Sequence, residues 1–168
     1  GARGDMLLRS LLDAGRELSD LEGELEKLKL DEFKIRMQKV EKNGFSATKA
    51  DVWIEDQVHE RHLVDILELI ELSDLESDLK FTAKEIFLKI GKVEAEIHQT
   101  ELENVHLHEL GGVDTIVDVV GVLSGLKLME IDQVHCSRIP LGQGFISGAH
   151  GQIPLPAPAT AALLKGIP

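Results

Sequence analysis

Apolar residues recur along this chain at two periods, and the switches between them mark out its elements. Leu7, Leu8, Leu11 and Leu12 lie on one side of a first helix, with Asp5 as candidate N-cap and Gly15 as stop. Ser19 to Glu22 has capping-box spacing and opens a second helix carrying Leu21, Leu25 and Leu28 to about Lys29. The period then falls to two around Asn43-Gly44, a dipeptide that accepts positive φ at both positions of a hairpin turn. Pairing Lys42 with Phe45 sets Phe33 against Ile54, Ile35 against Val52 and Met37 against Ala50 on one face. Arg36 against Asp51 and Lys34 against Trp53 fall on the other.

Beyond the charged connection 55–62, Leu63, Val64, Ile66, Leu67 and Ile70 predict an amphipathic helix. A Ser73 to Glu76 capping box then precedes a long one, striped by Leu79, Ala83, Ile86, Ile90, Val93 and Ile97. His98, near its end, is placed to meet the terminal carbonyls. Val113, Ile116, Val117 and Val120 repeat at i, i+3, i+4, i+7, so a further helix follows Gly111-Gly112. Alternation over Asp132 to Gly142 reads as a strand, with Cys136 on the side of apolar Val134 and so a small buried residue. Pro158 suits the first turn of a last helix, Ala159 to Lys165, stopped by Gly166. Helices and strands mix without strict βαβ alternation. The expected fold is therefore α+β (mixed α/β), a small mixed sheet that includes the Asn43-Gly44 hairpin packed with amphipathic helices, with a helical lobe around 60–100.

Composition narrows the function. The 168 residues are 43% hydrophobic and 4% aromatic, enough for one core packed by small aliphatics. Thirty acidic residues against 18 basic give a formal charge of −12, which repels phosphate backbones and anionic membranes and suits cations. Nucleic acid is not an expected partner. Cys136 is the sole cysteine, so no intrachain disulfide forms; with no leader and no apolar run near membrane-spanning length, no membrane association is expected and a cytoplasmic location is the default.

Candidate chemistry gathers in Val105 to Gly121, VHLHELGGVDTIVDVVG. In an extended segment His106 and His108 share a face about 7 Å apart, close enough to hold one ion, and Glu109 follows directly. Asp114, Asp118, Gly121 and Gly125 form a second stripe on the following helix, a negatively charged shelf that a ligand or another backbone can approach closely. An ordinary role remains for each: Asp114 suits a first helical turn and Asp118 a solvated face. The site is not a zincin, because Gly112 stands where HExxH needs its second histidine. His59 and His62 chelate only if their segment is helical, and nickel or zinc ligation by Cys136 is a further alternative. Leu141 to Gly151 contains Gly142, Gly144 and His150 but matches neither GxGxxG nor a P-loop. Its glycines shape turns that bring His150 and backbone N–H groups near a ligand, or else an ordinary glycine hairpin.

Four stretches together resemble the LarC family of nickel-insertion proteins: Gly4-Asp5-Met6; Asn43 to Thr48; Val105 to Gly121; and Pro140 to Gly144 through Ala149-His150-Gly151 to Pro154–Thr160. The resemblance implies an enzyme, a nickel chelatase of the lyase class. It would insert nickel into a pyridinium bisthiocarboxylate mononucleotide, consuming CTP with Mg or Mn, to complete the nickel-pincer cofactor delivered to lactate racemase. Family members usually carry a strand before the first glycine turn, a serine where Arg3 stands, and often a longer histidine run where this chain has His59 and His62. On this likeness residues 1–168 are an amino-terminal nickel-binding domain without the carboxy-terminal nucleotide-associated region, and so inactive alone in turnover.

The leading expectation is that His106, His108, Glu109, Asp114 and Asp118 hold nickel. Imidazole and carboxylate suit borderline Ni(II), and the substrate brings the sulfur. A metal–carbon bond requires loss of a ring proton, which makes His108 or His150 the candidate general base, with Gly142, Gly144 and His150 against the nucleotide. The rivals are a non-catalytic nickel-binding or storage module, a metal-dependent phosphohydrolase using the two aspartates with Mg2+, and a purely structural half of a larger enzyme. Homo-oligomerisation is left open.

Overall fold

The computed structural model describes residues 4–15, 17–30, 33–42, 44–54, 61–107, 112–148 and 151–167. Helices dominate, as the 3.6-residue periods require: α1 (Gly4–Asp13), α2 (Leu18–Glu26), α3 (Leu63–Leu72), α4 (Ser77–His98), α5 (Val113–Leu128) and α6 (Pro158–Leu163). The strands are β1 (Phe33–Lys42), β2 (Phe45–Ile54), β3 (Arg61–His62), β4 (His106–Leu107), β5 (Phe145–Gly148) and β6 (Gly151–Pro154). The α+β class holds. The single mixed sheet does not: among the described residues the strands form three separate antiparallel pairs, β1–β2, β3–β4 and β5–β6.

The β1–β2 register is the one the sequence dictates, from Lys42 opposite Phe45 to Phe33 opposite Ile54, with Gly44 at φ 80° in the turn. This hairpin lies against α1 and α5. One core joins α1 to α5. Leu8, Leu21, Leu25, Leu63, Ile66, Ile70, Phe87, Ile116, Val117 and Val120 are all at most 2% exposed and fall in one cluster. Every residue of the Val113, Ile116, Val117, Val120 stripe is buried.

Several helix ends depart from expectation. Asp5 sits in the first turn of α1, bonded to Arg9 one turn on at 2.6 Å, and does not cap it. α2 starts after Glu17, with no side-chain cap, so Ser19 lies inside the helix. Ser73 closes α3, its hydroxyl donating to the Ile70 carbonyl at 2.6 Å, and Glu76 precedes α4. The serine spaced as a start signal instead marks a stop, its backbone N–H and its hydroxyl both donating to the Ile70 carbonyl.

Along α4 the buried residues are Leu79, Ala83, Phe87 and Gly91, a stripe with steps of four. Ile86 and Ile90 are half-buried beside it and Ile97 is exposed. Gly91 holds its place because Leu63 packs onto it, where any Cβ would collide with the leucine methyls. His98 turns back to Glu94, with its Nε2 at 3.4 Å from Oε2, and not to the terminal carbonyls.

Residues 131–143 run extended and exposed and form no strand. A strand needs a neighbour for its N–H and C=O groups, and among the described residues no strand pairs with this segment. Cys136 is exposed accordingly, contrary to the buried role its alternation suggests. α6 has Pro158 at its first turn, and Gly166 takes φ 83° beyond its end. No helix among the described residues is long and apolar enough to cross a membrane.

Candidate metal centre

The acidic shelf on α5 is occupied along most of its length by α1. A Cβ at Gly121 would stand 2.8 Å from Leu8 Cδ1, one at Gly125 equally close to Leu11 Cδ1, and one at Gly4 2.6 Å from Asp118 Cβ. What fills the space beside the two glycines of the stripe is leucine side chains, Leu8 and Leu11 of α1, and not a ligand. What α1 leaves at the end of the shelf is a group of carboxylates: Asp5 from its own first turn, with Asp114 and Asp118 from the first turns of α5.

Asp118 is the electrostatic centre of this group. Burial, then the charges of Asp5 and Asp114, push its carboxyl up to about 6, against the Asp5 backbone N–H that donates to it and the Arg9 guanidinium nearby. Arg9 is itself bonded to Asp5. Asp118 is half-buried and Asp114 exposed, so the group opens to solvent on the Asp114 side. A carboxyl that titrates near 6 is mostly ionised at physiological pH, and a cation beside it would offset the cost of that half-buried charge.

The histidines assemble differently from the expected i, i+2 pair. β4 places His106 directly opposite His62 of β3, and the two imidazole centroids are 3.7 Å apart with the rings tilted by 45°. The helical geometry on which His59 and His62 depended is absent at His62, which ends a strand. His59, His108, Glu109 and His150 lie outside the described residues. Gly142 rests against Leu155, and Gly144, at φ 105°, accepts the Leu155 N–H at 2.8 Å where the chain returns from the β5–β6 hairpin. Among the described residues no three His, Cys, Asp or Glu side chains stand where a single ion could be held by all of them.

Sequence reasoning missed Asp5 as a member of the carboxylate group and His62 as the partner of His106. A signal existed for the first. Gly4-Asp5 in the first turn of a helix whose leucines match the glycine spacing of α5 is what a close helix pair needs, although nothing in the sequence says that those two helices meet.

The family model described as "Nickel insertion protein" matches residues 1–168. The chain belongs to the nickel insertion protein family. It is 45% identical over 168 residues to the pyridinium-3,5-bisthiocarboxylic acid mononucleotide nickel insertion protein of Staphylococcus epidermidis, covering all of this chain and 42% of that protein. A protein of the same name from Desulfitobacterium hafniense is 46% identical over 169 residues, again covering all of this chain and 42% of its own length. The chain thus spans less than half the length of these nickel insertion relatives. No solved structure matches it.

Proposed function

We propose that this chain is the nickel-handling part of a protein that inserts nickel into a pyridinium-3,5-bisthiocarboxylate mononucleotide. The observation that carries the reading is the nickel insertion family match over residues 1–168; beside it stand the neighbouring carboxylates Asp5, Asp114 and Asp118, whose mutual charge and burial raise Asp118 to about 6. Three carboxylates answered by one guanidinium leave an excess of negative charge that attracts a divalent cation to the open Asp114 side, without one ion being bonded to all three. His106, with His108 and Glu109 beyond β4, supplies the nitrogen and oxygen donors suited to Ni(II). Nickel here is the cargo, and the thiocarboxylates that finally hold it belong to the substrate.

The finer parts of the reading follow the family resemblance: a cyclometallating lyase consuming CTP with Mg or Mn, lactate racemase as recipient, His108 or His150 taking the ring proton, and Gly142 and Gly144 beside the nucleotide. Nickel titration of the chain by calorimetry tests the core of it. Asp118→Asn and Asp114→Asn are expected to weaken binding by about tenfold or more, close to 1.4 kcal/mol each. Unchanged affinity in both variants would remove the carboxylates from the reading. Transfer is followed by adding the apo-nucleotide to nickel-loaded protein and weighing the nucleotide by mass spectrometry. Retention of nickel with no transfer favours the storage reading.

A further inference from the structure

The β3–β4 contact is only two residues long, which makes its composition informative. Leu63 N–H donates to the Val105 carbonyl at 3.1 Å, one of the two bonds of a hydrogen-bonded antiparallel pair, while Val105 N–H donates to the Leu102 carbonyl at 3.3 Å. Alternation then makes His62 and His106 a non-hydrogen-bonded pair, the kind whose side chains come closest on a shared face. The flanking residues fix the backbone beneath them, since Leu63, Val105 and Leu107 are each 1% exposed. His62 N–H also donates to the Asp65 carboxylate at 3.1 Å, one half of a capping box whose other half sets the His62 side chain over the Asp65 backbone at the entry into α3. The two imidazoles stand against each other over this base, His62 half-buried and His106 exposed.

We propose that His62 and His106 form a two-imidazole site that captures a borderline divalent metal ion, Ni2+ in this protein. The choice of ion rests on the nickel reading above. The pairing rests on the geometry. To bring one nitrogen from each ring to the roughly 3 Å separation that two bonds of about 2.1 Å to one ion require, the 3.7 Å ring contact opens and the ring edges turn toward each other. With two protein ligands, the ion's other positions remain open to water or to incoming sulfur. Such a site takes nickel from solution without trapping it, which suits a donor and not a structural centre. Ring stacking alone accounts for the contact but assigns no use to a pair of histidines held on the exposed face of a two-residue ladder.

The test is a titration of the chain with Ni2+ followed by the NMR signals of the histidine ring protons, with Zn2+ as a diamagnetic comparison. The His62 and His106 signals are expected to broaden together at substoichiometric nickel and to shift together with Zn2+. His62→Ala and His106→Ala should each abolish the effect on the remaining ring and weaken its metal binding by about tenfold or more. His62→Gln and His106→Gln, which keep a polar side chain at each position, guard against a folding defect, and far-UV circular dichroism checks each variant. The proposal is overturned if one ring still responds at wild-type nickel concentrations after the other is removed, or if neither responds. The carboxylate variants are read by calorimetry and the ring pair by its NMR signals, so failure of the carboxylate reading and failure of the imidazole pair are separate results.

Discussion

Phe87 and Phe145 are the same residue in opposite circumstances. Phe87, on α4, is fully buried among the helices, whereas Phe145, at the start of β5, is 69% exposed. The contrast extends to their surroundings. α3, α4 and α5 each turn an apolar stripe into a shared core, while residues 131–147 carry Ile131, Val134, Ile139, Leu141, Phe145 and Ile146 with all six exposed. A helix satisfies its backbone internally and needs a partner only for one face. An extended segment needs a partner for its backbone as well. The helical region thus specifies its own burial, and the extended region does not.

Replacing a core aromatic is the largest effect expected. Phe87→Ala removes a side chain at 0% exposure and leaves a cavity between α4 and its neighbours, a change that costs about 3–5 kcal/mol. Urea unfolding followed by circular dichroism reads this as a large drop in midpoint. A loss under 1 kcal/mol would mean that α4 is not seated in the core as described.

The legibility of the sequence divides along the same line. The hairpin register was readable to the residue because Asn43-Gly44 fixes the turn and alternation fixes the face. The α5 stripe was readable because its four β-branched residues keep one period without competition. On α4 the aliphatics Ile86, Ile90 and Val93 drew the expected stripe toward themselves, and the buried line passes through Phe87 and Gly91, a glycine chosen for what packs onto it. The candidate site was half visible. Asp114 and Asp118 stood out by spacing, but Asp5 joins them only through the α1–α5 contact. His62 meets His106 through a ladder between segments more than forty positions apart. Pairings that distant depend on tertiary packing, which local periodicity does not encode. The strand expected at 132–142 failed for the converse reason, because alternation predicts two faces but supplies no neighbour.

A middle-sized effect separates stability from function within the well-packed half. Asp118 has its carboxyl raised from 3.8 to about 6 by burial and by Asp5 and Asp114. Below 3.8 the folded and unfolded chains both carry the proton. Between 3.8 and 6 only the folded chain does, so lowering the pH through 6 stabilises the metal-free protein, and raising it through 6 imposes the cost of the buried charge. Asp118→Asn, uncharged throughout and still able to accept the Asp5 N–H, should stabilise the metal-free chain at pH 7 by about 1 kcal/mol, the half-exposed setting having screened the rest. The gain should vanish near pH 4. Thermal melts at pH 7 and pH 4 check the sign, and a variant less stable than wild type at pH 7 would show that the three carboxylates do not crowd one another.

The smallest expected effect bears on the other half of the comparison. Phe145→Ala deletes the same atoms as Phe87→Ala, yet most of that side chain is already in water, so its removal exposes little apolar surface and opens no cavity. The expected change is within about 0.5 kcal/mol, several-fold below that of Phe87→Ala, in the same urea experiment. Running it at two protein concentrations sharpens the outcome. A change near zero at both places the β5–β6 hairpin outside the cooperative core. A loss above about 1 kcal/mol that grows with concentration means that Phe145 is covered in solution by a second copy of the chain, because only an association equilibrium makes stability depend on protomer concentration. The extended half would then have the partner its apolar residues lack within the described chain.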